Sequence, residues 1–296
     1  MNTLPSKPTA DTLSIILPAL NEEKGLSELL PSLLKFYKDA EIIVVDSGST
    51  DSTTQIAKDN GVKIVAMPYA YGNGAAIKSG IRAASGELLI LMDADGQHKV
   101  EDISKLLQRI DQGYDMAVGA RHSSTQATFG RRIANTIYNR FASWMTNRKI
   151  EDLTSGMRAV KSRYAREFLH LYPNGFSYPT TITMAFFRSG LSVSYVPIKA
   201  GVRKGSSHIN PLRDGIRFLL IIFKIGTLYS PLKVFMPLSL IHFLAALGYY
   251  GYTFITMHRL TNMSVILFSI SSLIFLMGLL SEQITNLYYA IHQQDR

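Results

Sequence analysis

Cysteine is absent from all 296 residues, which excludes disulfides and thiolate metal ligands. Residues 1–12 lack a charged region followed by an apolar run, so no cleavable signal peptide is expected and the globular part is expected to remain in the cytoplasm. Asp, Glu, Lys and Arg are missing altogether from residues 234–257 and from residues 261–281. A helix needs roughly 20 apolar residues to cross a bilayer core, so each stretch is long enough. Only His258, Arg259 and Leu260 separate them, which predicts a tight helical hairpin. Two buried helices of a soluble bundle are the alternative. Tyr249, Tyr250 and Tyr252 near one end, and Tyr288 and Tyr289 near the other, suit interfacial anchors.

What is present divides unevenly. Hydrophobic residues make up 47% of the chain and charged residues 18%, a mixture that suggests a globular domain tied to a membrane segment. Residues 1–120 carry 11 basic and 16 acidic side chains, whereas residues 121–233 carry 18 and 4. Opposite charges on two halves suit carboxylates that hold a metal and a cationic face that meets phosphates or anionic lipid. Two solvated surfaces are the plainer explanation. A basic face also suits nucleic acid, but the apolar tail favours lipid, and no nucleic-acid partner is expected. Residues 199–233 hold seven basic residues and one acid, which places that side of the first span in the cytoplasm. Within this stretch Arg213, Arg217 and Lys224 share one helical face, as in a helix lying in the membrane interface; a core helix fits the same pattern.

The first 200 residues alternate apolar runs with helical patterns. Buried strands are predicted at 13–18, 41–46, 62–67, 87–93 and 115–120, and Ser52 with Gln55 forms the pattern of a capping box. Repeated strand–helix units imply a mainly parallel sheet covered on both faces, with ligands beyond the strands' carboxyl ends. Three strands end in polar clusters there: P-A-L-N-E-E from Pro18, D-S-G-S-T-D from Asp46, and D-A-D-G-Q-H from Asp93. In an extended segment residues two apart point the same way, so Asp93, Asp95 and Gln97 are expected to converge on one ion. Hard oxygen ligands select Mg²⁺ or Mn²⁺. His98 reads as a supporting group. Between these clusters, residues 71–80 form a glycine-rich helix start whose backbone amides suit a phosphate or ribose. The same stretch also reads as a plain tight turn.

P-A-L-N-E, V-V-D-S-G-S-T-D, G-N-G-A-A-I-K-S-G, L-M-D-A-D-G-Q-H, V-G-A-R and D-L-T-S-G-M-R-A occur in this order. Together they resemble family 2 glycosyltransferases, most closely the branch of dolichyl-phosphate mannose synthase and polyprenyl-phosphate glycosyltransferases. The likeness covers roughly residues 13–208, and the hairpin resembles the anchors of many members. It implies an α/β GT-A fold, with a Rossmann-like, mainly parallel sheet over residues 1–210. An interfacial amphipathic helix over 211–230 would follow, then two transmembrane helices (about 234–257 and 261–281) and a short tail within 231–296.

The resemblance implies that Pro18, Asn21, Glu22, Asp46 and Ala94 surround the nucleotide of a UDP- or GDP-sugar. Asp93, Asp95 and Gln97 would hold Mg²⁺ or Mn²⁺ with the donor diphosphate, Asp95 acting as a catalytic residue. Arg121 and Arg131, also counted as catalytic, would grip the phosphate of a polyprenyl acceptor. Asn135 stands where some relatives have serine near that phosphate. Arg203 and His208 belong to a segment similar to one that closes over the donor. Asp152 is left between substrate contact and structure. Three positions depart from the family pattern: Ser47 replaces the second acid of a D-D pair, His208 stands where lysine is common, and Gly96 where leucine is frequent.

The implied reaction is inverting transfer of a sugar onto undecaprenyl or dolichyl phosphate for cell-envelope glycan or glycoconjugate assembly. It would occur on a multi-pass inner-membrane protein whose catalytic domain faces the cytoplasm. A non-lipid acceptor is one alternative. The Q-x-x-R-W element of processive synthases is absent, because the only tryptophan is Trp144. A silent nucleotide-sugar-binding adaptor is another, disfavoured by intact metal-ligand positions. A soluble nucleotidyltransferase is disfavoured by the hairpin. Two spans leave open whether the chain acts alone, as a homo-oligomer or beside a flippase.

Overall fold

The computed structural model describes residues 13–121, 129–175, 177–198, 223, 226, 227 and 229–293. These fall into two compact units, residues 1–143 with 148–209, and residues 144–147 with 210–296.

The first unit is built on a seven-stranded sheet. Its strands are β1 (Leu13–Ala19), β2 (Glu41–Asp46), β3 (Lys63–Ala66), β4 (Leu88–Leu91), β5 (Met116–Arg121), β6 (Arg158–Lys161) and β7 (Val193–Ile198), in the order β3-β2-β1-β4-β6-β5-β7. All five predicted strands form. β1 pairs in parallel with β2 and β4, β2 with β3, and β5 with β7. Only β6 is antiparallel, to both β4 and β5. Two reversals restore direction, so β1, β2, β4 and β5 all present their carboxyl ends on one edge. The sheet is therefore the mixed, mostly parallel sheet of the GT-A class.

Both faces of the sheet are covered, as continuous apolar strands require. On one face lie α1 (Glu23–Phe36), α2 (Thr53–Asp59) and α4 (Asp102–Asp111), with Leu26, Leu30, Leu33, Ile103 and Leu106 closing over Ile15, Leu17 and Val44. On the other lie α3 (Asn73–Ala83), α6 (Ser162–Glu167) and α7 (Tyr178–Arg188), with Ile77, Ile81, Ile182 and Phe186 over Ile16, Ile43 and Leu91. The capping box at Ser52 does not form. Ser52 makes no side-chain cap bond, and Asp51 Oδ1 instead accepts the N–H of Thr53 at 3.0 Å, meeting the first helical donor one residue early. α5 (Phe129–Thr146) follows β5.

In the second unit, α8 (Pro231–Met257) and α9 (Asn262–Gln293) form the hairpin. His258 ends α8 in a left-handed conformation, φ 49°, and residues 258–261 make the turn. Both helices are long and apolar enough to cross a membrane, with 11% and 17% of their most apolar windows buried. Exposure of nearly the whole apolar surface argues against a soluble bundle core. Where the helices meet, Ser239 Oγ donates to the Ser271 carbonyl at 2.9 Å and Ser271 Oγ returns the bond to Ser239 at 3.0 Å. Gly278 lies so close to Phe235 that a Cβ would stand 2.7 Å from its side chain, a close small-residue approach typical of helices in lipid. α9 runs well past the predicted end of the span, and Glu282 accepts the Leu232 N–H at 3.1 Å, capping the start of α8. Of the expected anchors, Tyr252 is exposed and Tyr289 is buried.

Candidate active site

The carboxyl edge of β1, β2, β4 and β5 gathers the strand-end clusters. The first two are bonded directly to each other. Asn21, in the left-handed region at φ 55°, donates its N–H to Ser49 Oγ at 3.0 Å and accepts the Thr50 N–H on its side-chain oxygen at 2.8 Å. The N–H groups of Glu22 and Glu23 go to Thr53 Oγ1 and Asp51 Oδ2. Asp46 is buried at the end of β2, opposite Ala19 of β1. Its carboxylate accepts the Ser49 N–H at 2.9 Å and the Thr54 hydroxyl. Burial alone would raise its pKa, but these bonds hold it below the usual range. Pro18, Asn21, Glu22 and Asp46 thus share one rim, and Asn21 and Asp46 spend side-chain oxygens bracing it. Ser47, in place of a second acid, is buried with Oγ directed at Met67 Sδ.

β4 ends at Leu91, and residues 93–97 are not extended. Gly96 takes φ 72°, a conformation that suits glycine far better than leucine. The Gln97 N–H folds back onto Asp95 Oδ1 at 3.1 Å. The expectation that strand alternation aligns Asp93, Asp95 and Gln97 is therefore replaced by a tight turn. Gly25 of α1 makes room for it, since a Cβ there would stand 2.1 Å from the Ala94 carbonyl oxygen. Ala94 is buried by this contact.

Asp93 keeps a third of its side chain exposed, with His98 Nε2 at 3.9 Å. Asn73 Nδ2 donates to Asp93 Oδ1 at 3.4 Å. Desolvation pushes the Asp93 pKa up, but His98, Asn73 and Arg121 outweigh it, so the carboxylate stays ionised. Among the described residues no group of three His, Asp or Glu gathers as a metal cage. Two carboxylates and an amide nevertheless fit a hard divalent cation that keeps several positions for phosphate oxygens and water. The buried Asn73 Oδ1, bonded to Asp93's side through its amide nitrogen, has no partner among the described residues, so an acceptor stands ready beside the carboxylate. Asp95 is half-buried in the same turn.

Arg121, the last residue of β5, is fixed by the loop before β6. Its Nε and Nη2 donate to the two oxygens of Asp152 at 2.7 and 3.0 Å, and Nη2 also to Thr154 Oγ1 at 2.7 Å. The Arg121 N–H adds a bond to Asp152 Oδ2 at 3.2 Å. Burial works against the guanidinium, but Asp152, then Asp93 and Asp95, raise its pKa. Among the described residues the bonds of the fork are made by Nε and Nη2, on the edge facing Asp152 and Thr154. The same loop backs Asp93: a Cβ on Gly156 would stand 2.3 Å from Asp93 Oδ2. One loop, 152–156, thus reaches the arginine through Asp152 and Thr154 and the carboxylate through Gly156.

Asn135 sits half-buried on α5. The Arg131 side chain, Arg203 and His208 lie outside the described residues, as does the amphipathic helix expected over 211–230 apart from 223, 226, 227, 229 and 230. At the glycine-rich helix start two of the amides are already engaged within the fold. The Gly74 and Ala75 N–H groups donate to the carbonyls of Gly175 and Asn174 at 3.2 and 3.0 Å, and Gly72 and Gly74 pack against that backbone. Sequence reasoning missed Asn73, Gly156 and Arg158 as individual residues. Each lay inside a quoted motif, which was the available signal.

The sequence matches Glycosyl transferase family 2 over residues 14–169 and the GtrB C-terminal hairpin over residues 230–287. It is 28% identical to the undecaprenyl-phosphate 4-deoxy-4-formamido-L-arabinose transferase of Edwardsiella ictaluri, over 97% of this chain and 93% of that protein. It is 30% identical to the dolichyl-phosphate hexose transferase of Haloferax volcanii, over 70% of this chain and 90% of the other. The fold resembles glucosyl-3-phosphoglycerate synthase from Mycobacterium tuberculosis in complex with Mn²⁺ and UDP-glucose, with a TM-score of 0.59 and 22% identity, over 73% of this chain and 78% of that one. With the family pattern spanning more than half of its length, the chain belongs to glycosyl transferase family 2.

Proposed function

We propose that this protein transfers a sugar from a nucleoside diphosphate donor to the phosphate of a polyprenyl lipid, with inversion at the anomeric carbon. One observation carries the reading: the loop 152–156 holds Arg121 by Asp152 and Thr154 while Gly156 backs Asp93. A guanidinium is thereby tied to the Asp93 carboxylate, beside which a donor diphosphate would sit. The names of the relatives support a lipid phosphate as acceptor. The hairpin supports delivery of that lipid from a bilayer, and the basic residues between 199 and 233 support a cytoplasmic catalytic side.

A phosphate monoester with a second pKa near ~6 is largely dianionic at neutral pH, so the nucleophile needs no general base. An acceptor phosphate oxygen attacks the anomeric carbon, the bond from that carbon to the donor's diphosphate oxygen breaks, and the nucleoside diphosphate leaves. Catalysis then rests on alignment and on charge stabilisation. Arg121, oriented by Asp152, aligns the incoming phosphate; Arg131 and Asn135 on α5 are proposed to assist. Asp93 and Asp95 with Gln97 would hold Mg²⁺ or Mn²⁺, which would supply neutralisation of the leaving diphosphate. Pro18, Asn21, Glu22, Asp46 and Ala94 border the nucleotide, and Arg203 and His208 are assigned to the donor side.

The test incubates purified protein with polyprenyl phosphate, Mn²⁺ and a panel of labelled UDP- and GDP-sugars. Label that partitions into the organic phase with one donor is expected. Label appearing only in water-soluble product would assign a non-lipid acceptor and overturn the reading.

A further inference from the structure

Arg158 opens β6 and is wholly buried, with no exposed surface. A buried guanidinium is costly, and an apolar residue often fills such a place more stably. Its hydrogen bonds show what it holds. Nε donates to the Ser155 carbonyl at 2.9 Å and Nη2 to the Leu153 carbonyl at 3.1 Å. Nη1 reaches across to Thr183 Oγ1 on α7 at 2.6 Å, and none of these partners is a carboxylate. The rigid fork therefore fixes two carbonyls of one short loop and anchors them to a helix on the sheet's other side. Between and beside those carbonyls lie the residues that touch the site: Asp152 and Thr154 on Arg121, and Gly156 against Asp93.

We propose that Arg158 is a positioning residue for sugar transfer, holding the 152–156 loop in the one shape that aims Arg121 and seats Asp93 together. The proposal rests on the transfer reaction proposed above. Fixing the carbonyl of Leu153 sets the peptide plane that leads into Thr154. Fixing that of Ser155 sets the plane that leads into Gly156. Lysine in place of Arg158 keeps the charge but is a point donor that cannot span both carbonyls, so the loop would regain a degree of freedom without losing its cation. Loosening would reach Arg121 through Asp152, and Asp93 through Gly156, although Arg158 itself touches neither substrate.

The test compares full-length wild type with R158K, D152N and the double variant, in detergent with polyprenyl phosphate, Mn²⁺ and the active labelled donor. R158K is expected to raise the acceptor KM by about tenfold or more, with a smaller change in donor KM. On the acceptor side Arg158 acts through Asp152, so the acceptor KM of the double variant should be no worse than that of the worse single one. A purely structural role would instead lower thermal stability and the active fraction while leaving both KM values unchanged. That result, or acceptor-KM effects that multiply in the double variant, would overturn the proposal. Should R158K not fold, T183V keeps both loop bonds and removes only the helix anchor, and the same cycle with D152N decides. If wild type yields no lipid-linked product, the transfer reading itself fails. In that case Mn²⁺ titration in the presence of UDP still judges Arg158, which predicts weaker binding in R158K and is refuted by equal binding.

Discussion

Gly156→Ala is the sharpest perturbation the site allows. The added methyl would stand 2.3 Å from Asp93 Oδ2 and 2.9 Å from its Cγ, whereas ordinary contact begins at 3.4 Å. Gly156 does not use the left-handed region that only glycine favours, so the backbone itself accepts alanine. The carboxylate must therefore retreat by about 1 Å, and with a third of its side chain exposed it has somewhere to go. A misplacement of about 1 Å at a reacting centre costs on the order of 10²-fold in rate, equivalent to about 2.7 kcal/mol of activation free energy. Overpacking adds roughly 1–3 kcal/mol of destabilisation, which thermal melts would measure separately. The assay is turnover per folded molecule across a Mn²⁺ titration, and the expected result is a large loss of rate with a rightward shift in Mn²⁺ dependence. Full activity in folded G156A, or a loss wholly explained by unfolding, would refute the claim that this loop seats Asp93.

Asp152→Asn removes the charge that orients Arg121, and is expected to raise acceptor KM by about tenfold or more while changing donor KM less; equal changes in both would contradict it. Asn73→Ala deletes the donor to Asp93 and the buried oxygen beside it. It should weaken nucleotide-sugar binding by several-fold to about tenfold, read by calorimetry, and unchanged binding would count against that contact. Glu41 lies at the opposite edge of the sheet. Burial works to raise its pKa, but bonds from Lys63, Ser14 and Ser85 bring it from 4.5 down to about 2. A carboxylate with a depressed pKa stabilises the fold fully above its unfolded value and loses that contribution as pH falls through the folded one. Glu41→Gln should therefore lower stability at neutral pH, and its deficit should vanish between pH 4.5 and about 2, as followed by denaturant melts. A deficit independent of pH would refute the assignment.

Much of the sheet was legible because β1, β2, β4 and β5 are continuous apolar runs that end abruptly in polar clusters. β6 was not, since R-A-V-K is four residues long with charge at both ends, and its antiparallel insertion depends on partners far away in sequence. β7, V-S-Y-V-P-I, buries Ser194, Val196 and Ile198, but apolar residues stand on both of its faces, so no sequence alternation marks it. The candidate site was legible in its residue types more than in its geometry. Asp93 and Asp95 stand on the expected rim, but the turn at Gly96 replaces extended alternation. The fate of the glycine-rich helix start depended on carbonyls 100 residues away, which no local pattern reveals. Arg158 looked like one more basic residue of a basic half, and only the fold shows it buried and gripping the loop.

The central claim is that a lipid phosphate is the nucleophile. The most direct measurement gives the protein an active labelled donor and Mn²⁺ with either polyprenyl phosphate or the matching free polyprenol. Organic-phase label should form only with the phosphate, disappear with EDTA and be lost in Asp95→Ala. Equal labelling of the free alcohol, or labelling undiminished by chelation and by that substitution, would contradict the account.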